Sequence, residues 1–237
     1  MLDPGDADFG FRHLKAVAQG QAADGAWEAH WTAPASVLSL RAVEPSATTV
    51  LHASGPGVAT TGERIPFLLA RRVGVRSARF TTLIETRSRS EESAVTGVRR
   101  VADGHVRVDL AGDRRDDLLV DGEGYALVRR QGSSSAPVSV DLLHRSAVTV
   151  DGREWIKITD GAKPKVLENV SAVYDGGGLR LSVHRTADRT RAGAATAPGP
   201  VTMSVYAPGI TSVHLNGKPA DSVSRRGDVI TVTFTIA

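Results

Sequence analysis

The side chains able to do chemistry in this chain are dispersed. Seven histidines, His13, His30, His52, His105, His144, His184 and His214, include no HxH or HExxH spacing, so no zinc motif is present. The chain has no cysteine, which removes disulfides and thiolate ligands. No GxSxG elbow offers a serine nucleophile. Glu85, Glu91 and Glu92 gather near a polar loop tip, and Asp116-Asp117 reads most simply as a turn. Asp3, Asp6 and Asp8, with Gly5 and Gly10, lack the Gly and Glu positions of a calcium loop. The glycine-rich stretch SGPGVATTGE (Ser54 to Glu63) lacks the Lys-Ser/Thr of a phosphate loop. Asn169-Val170-Ser171 matches a glycosylation acceptor but lies inside a segment read as a strand. Spacing therefore assigns no catalytic residue, no metal ligand and no cofactor.

Two patterns speak of binding instead. AWEAHWT (Ala26 to Thr32) alternates, so as a strand it puts Trp27 and Trp31 on one face. Those rings either stack on sugars or turn into a core, where tryptophan is heavily buried on average. Twelve arginines fall between Arg64 and Arg115 against six acids. That excess offers a basic face for a polyanion, or a solvated surface. Nucleic acid is not the expected partner: zinc-finger spacing and RNP-like aromatics are lacking, and few aromatics exist to stack bases.

The elements that would carry these residues are strands. No stretch sustains a 3.6-residue apolar period, and turn signals recur about every ten residues, which argues an all-β antiparallel sandwich of stacked sheets. The centre of the sheet is expected at Arg64 to Thr86, read as a hairpin. Ile65 to Ala70 is apolar throughout, as in a strand buried on both faces, Val73-Gly74-Val75 is the connection, and Ala78 to Glu85 alternates. Further hairpins are marked by Asp103-Gly104, Asp121-Gly122, Asp151-Gly152, Asp175-Gly176-Gly177 and Asn216-Gly217. Phe11 to Val17 is a short strand or helical turn, and Gln19 to Gly25 a loop. Val229 to Ile236 alternates cleanly as a closing strand.

With 237 residues and 41% hydrophobic side chains, the chain can bury a real core. The expected organisation is one large β-domain over 1–186, a mobile Ala/Thr/Gly/Pro-rich loop over 187–200, and closing strands of the same sandwich over 201–237. Apolar runs stop short of the roughly 18 residues that span a bilayer, so no membrane partner is expected. The opening MLDPGDADFG has no basic-then-apolar leader, and localisation stays unknown.

The succession Trp27-x3-Trp31, VLSLRAV, TTVLHASGPG and RIPFLLARRVGVRSARFTTLIE resembles the C-terminal β-sheet region of heparinase II/III-like polysaccharide lyases. Arg71-Arg72, Gly74, Phe80 and Glu85 match that region's apolar strand ending in paired arginines, its glycine turn and its aromatic-led strand. FRHLKAVAQG matches the segment before it, and VHLNGKPADSVSRRGDVITVTF is similar to the closing strands of many polysaccharide-acting enzymes.

The resemblance implies an accessory β-domain whose parent enzyme, secreted or periplasmic, carries its Asn, His and Tyr for β-elimination on an N-terminal helical toroid. This sequence has neither the toroid nor the family's His-rich zinc segment, so no catalytic residue, metal or cofactor carries over. The implied partners are that toroid domain and an acidic polysaccharide. β-Elimination needs a neutralised carboxylate, a base and an acid, so this part alone is expected to be inactive. It can contribute groove shape and charge. Arg71, Arg72 and Arg79 are the candidates for acidic sugars, since guanidinium pairs bidentately with carboxylate or sulfate; strand-end solvation is their plainer role. Trp155 is a further stacking candidate, or a core residue. Two other readings remain: a free-standing carbohydrate-binding module, and a structural or interaction sandwich.

Overall fold

Alternating side chains become strands along nearly the whole chain. The computed structural model describes residues 14–22, 26–43, 48–56, 64–122, 124–132, 137–184 and 200–235. The loop expected over 187–200, the Asp3–Asp8 segment and His13 lie outside the described residues, except for Pro200. Among the described residues there is no helix, and the sheets are almost wholly antiparallel, as expected. The chain forms two compact units, Met1–Ser93 and Ala94–Ala237. Their boundary falls inside the span read from sequence as one domain.

The first unit holds two three-stranded sheets. One has the order β1 (Lys15–Gln21), β4 (Thr49–Pro56), β5 (Arg64–Arg71); the other has β2 (Ala26–Thr32), β3 (Ser36–Val43), β6 (Thr82–Ser88). The expected hairpin at Arg64 to Thr86 is not formed. β5 pairs back onto β4, with Leu69 opposite Leu51, while β6 pairs with β3 in the other sheet. The ten residues 72–81 are an irregular crossing between sheets. Local pattern identified the strands but not their partners, because pairing is decided by distant residues. β5 is half-buried rather than buried on both faces, and β1 runs through Gln19 to Gln21, which sequence assigned to a loop. Gly55 on β4 is required by space: a Cβ there would lie 2.5 Å from Leu14 Cδ2 and 2.6 Å from Phe67 Cε2.

The second unit is a two-sheet sandwich. Its nine-stranded sheet contains β7 (Val95–Ala102), β8 (His105–Leu110), β9 (Arg114–Asp121), β10 (Gly124–Gln131), β11 (Ser139–Arg145), β15 (Leu167–Asp175), β16 (Gly178–His184), β18 (Ser212–Leu215) and β19 (Lys218–Pro219). The pair β16 and β18 is parallel. The facing sheet contains β12 (Ala147–Val150), β13 (Arg153–Asp160), β14 (Lys163–Pro164), β17 (Pro200–Tyr206), β20 (Val223–Arg226) and β21 (Val229–Thr235). Inward residues of both sheets form one core, with Val128, Val140, Leu142, Val170 and Leu181 meeting Ile156, Ile158, Met203, Val205 and Ile230. β21 buries Ile230 and Val232 as its alternation foretold. The Asp151-Gly152 and Asn216-Gly217 turns adopt positive φ at both residues, the geometry that fits tight hairpins to twisted strands.

Candidate functional site

Strand alternation builds a cleft in the first unit. On the β1–β4–β5 sheet, Ala18, His52 and Leu68 stand in one cross-strand row and Gly20, Val50 and Ala70 in another. Side chains in one row share a face. The small Ala18 and Gly20 leave that face open. β2 supplies the wall, presenting Trp27 to Trp31. The cleft has a volume of about 500 Å³; Gln19, Gln21, Glu28 and His30 border it through strands whose alternation turns their side chains to the opposite faces, and His52 is the polar residue whose row faces it. That size and mixture of aromatic wall with few polar groups suits a small-molecule or oligomer subsite.

Trp27, Ala29 and Trp31 are half-buried while their neighbours on β2 are exposed. Their row continues through Leu40 to Ile84, which is 63% exposed. Sequence put both indoles on one face, and the structure sets both on the cleft. Trp27 Nε1 is buried with no hydrogen-bond acceptor.

The opposite face of β2 carries a polar ladder. Arg41 Nε reaches Glu28 Oε1 at 2.5 Å, and Arg41 Nη1 reaches Glu85 Oε2 at 3.0 Å. Ser93 Oγ donates to Glu85 Oε2 at 2.7 Å. His30 Nε2 lies 3.3 Å from Glu28 Oε1, and His30 Nδ1 lies 2.9 Å from Ser39 Oγ. This carboxylate–imidazole–hydroxyl line is not a nucleophile site, because Ser39 is only 1% exposed. It fixes the imidazole and the Glu28 carboxylate on the face of β2 turned away from the indoles.

The arginines expected to meet acidic sugars lie in the same unit but are differently engaged. Arg71 is exposed at the end of β5, in a row with Thr49 and Gln21. Arg72 donates from Nε to Thr48 Oγ1 at 3.0 Å and lies 4.7 Å from the Phe80 ring centroid. Arg79 sits in the irregular crossing, beside exposed Val73, Val75 and Phe80. Trp155 belongs to the other unit and is 2% exposed. It packs edge-on against Tyr206 at 5.4 Å, with Arg153 stacked 4.4 Å over Tyr206. A ring so placed is core and offers no open face to a sugar.

Sequence reading missed a buried ion network in the second unit. Asp116-Asp117 is no turn but the middle of β9, and Asp117 is 0% exposed. Asp117 accepts from Arg107 Nε at 2.6 Å, from Arg130 Nη2, and from His105 Nε2 at 2.9 Å. Asp151, at the β12–β13 turn, closes the ring from the facing sheet, 2.8 Å from Arg107 Nη2 and 3.0 Å from Arg130 Nη2. Burial alone raises the Asp117 carboxyl, but hydrogen bonds from Arg130, Arg107 and His105 outweigh it and hold the group below its ordinary value. Burial also opposes ionisation of Asp151, yet Arg107 and Arg130 bring it down to about 2. Arg107 is held above its ordinary value by the two aspartates despite its burial. The signal in the sequence was charge at matched cross-strand positions: Arg107 stands opposite Asp117, and Arg129 opposite Asp116.

Among the described residues no three metal-ligating side chains converge. Comparison with family models, with curated proteins and with solved structures found no match to this chain.

Proposed function

We propose that the chain is a glycan-binding β-protein, an accessory domain of the kind that accompanies the helical toroid of heparinase II/III-like polysaccharide lyases, without catalysis of its own. The observation that carries the reading is the cleft: Trp27 and Trp31 on one wall, with small residues and His52 on the floor. Aromatic faces bury the C–H faces of sugar rings, and fixed polar groups select hydroxyls. In this reading Arg71, exposed at the end of β5 on the sheet face opposite the cleft floor, is the contact for an acidic unit, with Arg72 and Arg79 as weaker candidates because each is already engaged within the protein. The described lining residues of the cleft all belong to one compact unit, which equally suits a free-standing carbohydrate-binding module. A reading frame for a helical toroid directly upstream favours the lyase assignment, and an unrelated frame favours the free module.

Binding is tested by tryptophan fluorescence. The chain has three tryptophans, of which Trp155 is buried in the other unit, so quenching or blue shift on adding oligosaccharide reports on Trp27 and Trp31. The expected result is saturable change with one or more polysaccharide-derived oligomers, and no growth of unsaturated-uronate absorbance. A flat response across neutral and acidic glycans rejects the proposal.

A further inference from the structure

The irregular crossing over residues 72–81 of the first unit carries a feature that a sugar cleft does not explain. Large apolar side chains stand in water there: Val73 is 70% exposed, Val75 52% and Phe80 43%. Arg71, Arg72, Arg76 and Arg79 are interspersed with them, and the sequence has no acidic residue from Arg64 to Ile84. The crossing is a built loop. Arg72 at its start lies 4.7 Å from the centroid of the Phe80 ring near its end, and Arg72 Nε donates to Thr48 Oγ1 at 3.0 Å. Gly74, at φ +76°, makes the turn between the two valines in a conformation that side chains disfavour. Past the Arg72–Phe80 contact, every residue from Val73 to Arg79 is exposed. None of the cleft's described lining residues belongs to this loop.

We propose that this loop attaches the protein to an anionic lipid surface. Val73 and Val75 enter the boundary between headgroups and acyl chains, while Arg76 and Arg79 meet the lipid phosphates. Charge complementarity selects the surface: a stretch with four arginines and no acid is drawn to a negative leaflet. The valines select lipid over a soluble polyanion. An acidic glycan would engage the guanidinium groups and leave the valines in water, whereas a bilayer interface takes both kinds of side chain at once and demands no matching pocket. The want of a spanning segment does not bear on attachment of this kind, because a surface loop crosses nothing.

The test floats the full chain with vesicles of phosphatidylcholine alone and of equal parts phosphatidylcholine and phosphatidylglycerol. The chain is expected to float with the anionic vesicles only, and to be released as salt screens the exposed charges. Arg76→Ala should weaken the association about fivefold, the worth of one arginine at an anionic surface. The Val73→Ser, Val75→Ser double variant should weaken it at least about fivefold. Both sets of changes fall at exposed positions, and circular dichroism checks that the strands persist. No flotation with anionic vesicles at low salt overturns the proposal. Flotation that the valine variant leaves unchanged, with heparin competing equally against both chains, also overturns it and makes the loop a basic surface for polyanions at large. Neither result touches the glycan reading of the cleft, which is decided by its own titration.

Discussion

Replacing Asp117 by alanine removes the one fully buried anion among the described residues of the second unit. Arg107 and Arg130 are both largely buried, at 7% and 8% exposure, and each donates to Asp117. Without it they share Asp151 alone, and His105 loses its acceptor. Breaking a buried pair by removing one partner costs about 3–5 kcal/mol. The retained contacts to Asp151, whose side chain is 47% exposed, place Asp117→Ala at the lower end, about 3 kcal/mol. Asp151→Ala leaves Asp117 in place and exposes the guanidinium tips to water, so about 1 kcal/mol is expected. The two changes share partners, so the double variant departs from the sum. Urea denaturation in a Trp27→Phe, Trp31→Phe background isolates the signal of Trp155 in this unit. A cost below about 1 kcal/mol for Asp117→Ala, or a larger cost for Asp151→Ala, would refute the reasoning that burial sets the value of each anion.

Acid should unfold the second unit first through the same network. Both aspartates titrate below their ordinary value of 3.8 in the folded state. Their contribution is therefore fully present above about pH 4 and lost as pH falls toward 2, by about 1 kcal/mol for half-exposed Asp151 after screening. Urea midpoints measured from pH 5 to pH 2 check the direction, and Asp151→Asn should flatten the decline. Gly124→Ala is expected to cost more than about 2 kcal/mol, because φ is +131° and a Cβ would sit 2.4 Å from the Leu143 carbonyl oxygen. Arg153→Ala should cost about 0.5–1 kcal/mol by removing the cation stacked on Tyr206, read from the thermal midpoint.

Local signals in the sequence carried most of the strand positions. Asp103-Gly104 and Asp151-Gly152 each close a hairpin between the strands flanking them, and β21 alternates as its apolar residues require. The shared face of Trp27 and Trp31 was legible for the same reason, since period two is a property of the strand alone. Partner choice was not legible. Ile65 to Ala70 and Thr82 to Thr86 look like neighbours in sequence but join different sheets, because each finds its hydrogen bonds on a strand formed earlier in the chain. Asp117 was misread because aspartate favours turns in isolation. Its position is decided by Arg107 and Arg130, ten residues before and thirteen after, whose charges make burial tolerable. The cleft escaped notice because its floor is defined by what Ala18 and Gly20 lack.

The central claim is that Trp27 and Trp31 form a sugar-binding wall, and a titration of the native chain and the Trp27→Ala, Trp31→Ala double variant with the best-binding oligosaccharide tests it most directly. Each stacked ring contributes about 0.5–1.5 kcal/mol, so the double variant should bind at least about fivefold more weakly. The Trp155 signal of the second unit should keep its urea midpoint. Unchanged affinity in a double variant that remains folded would contradict the account.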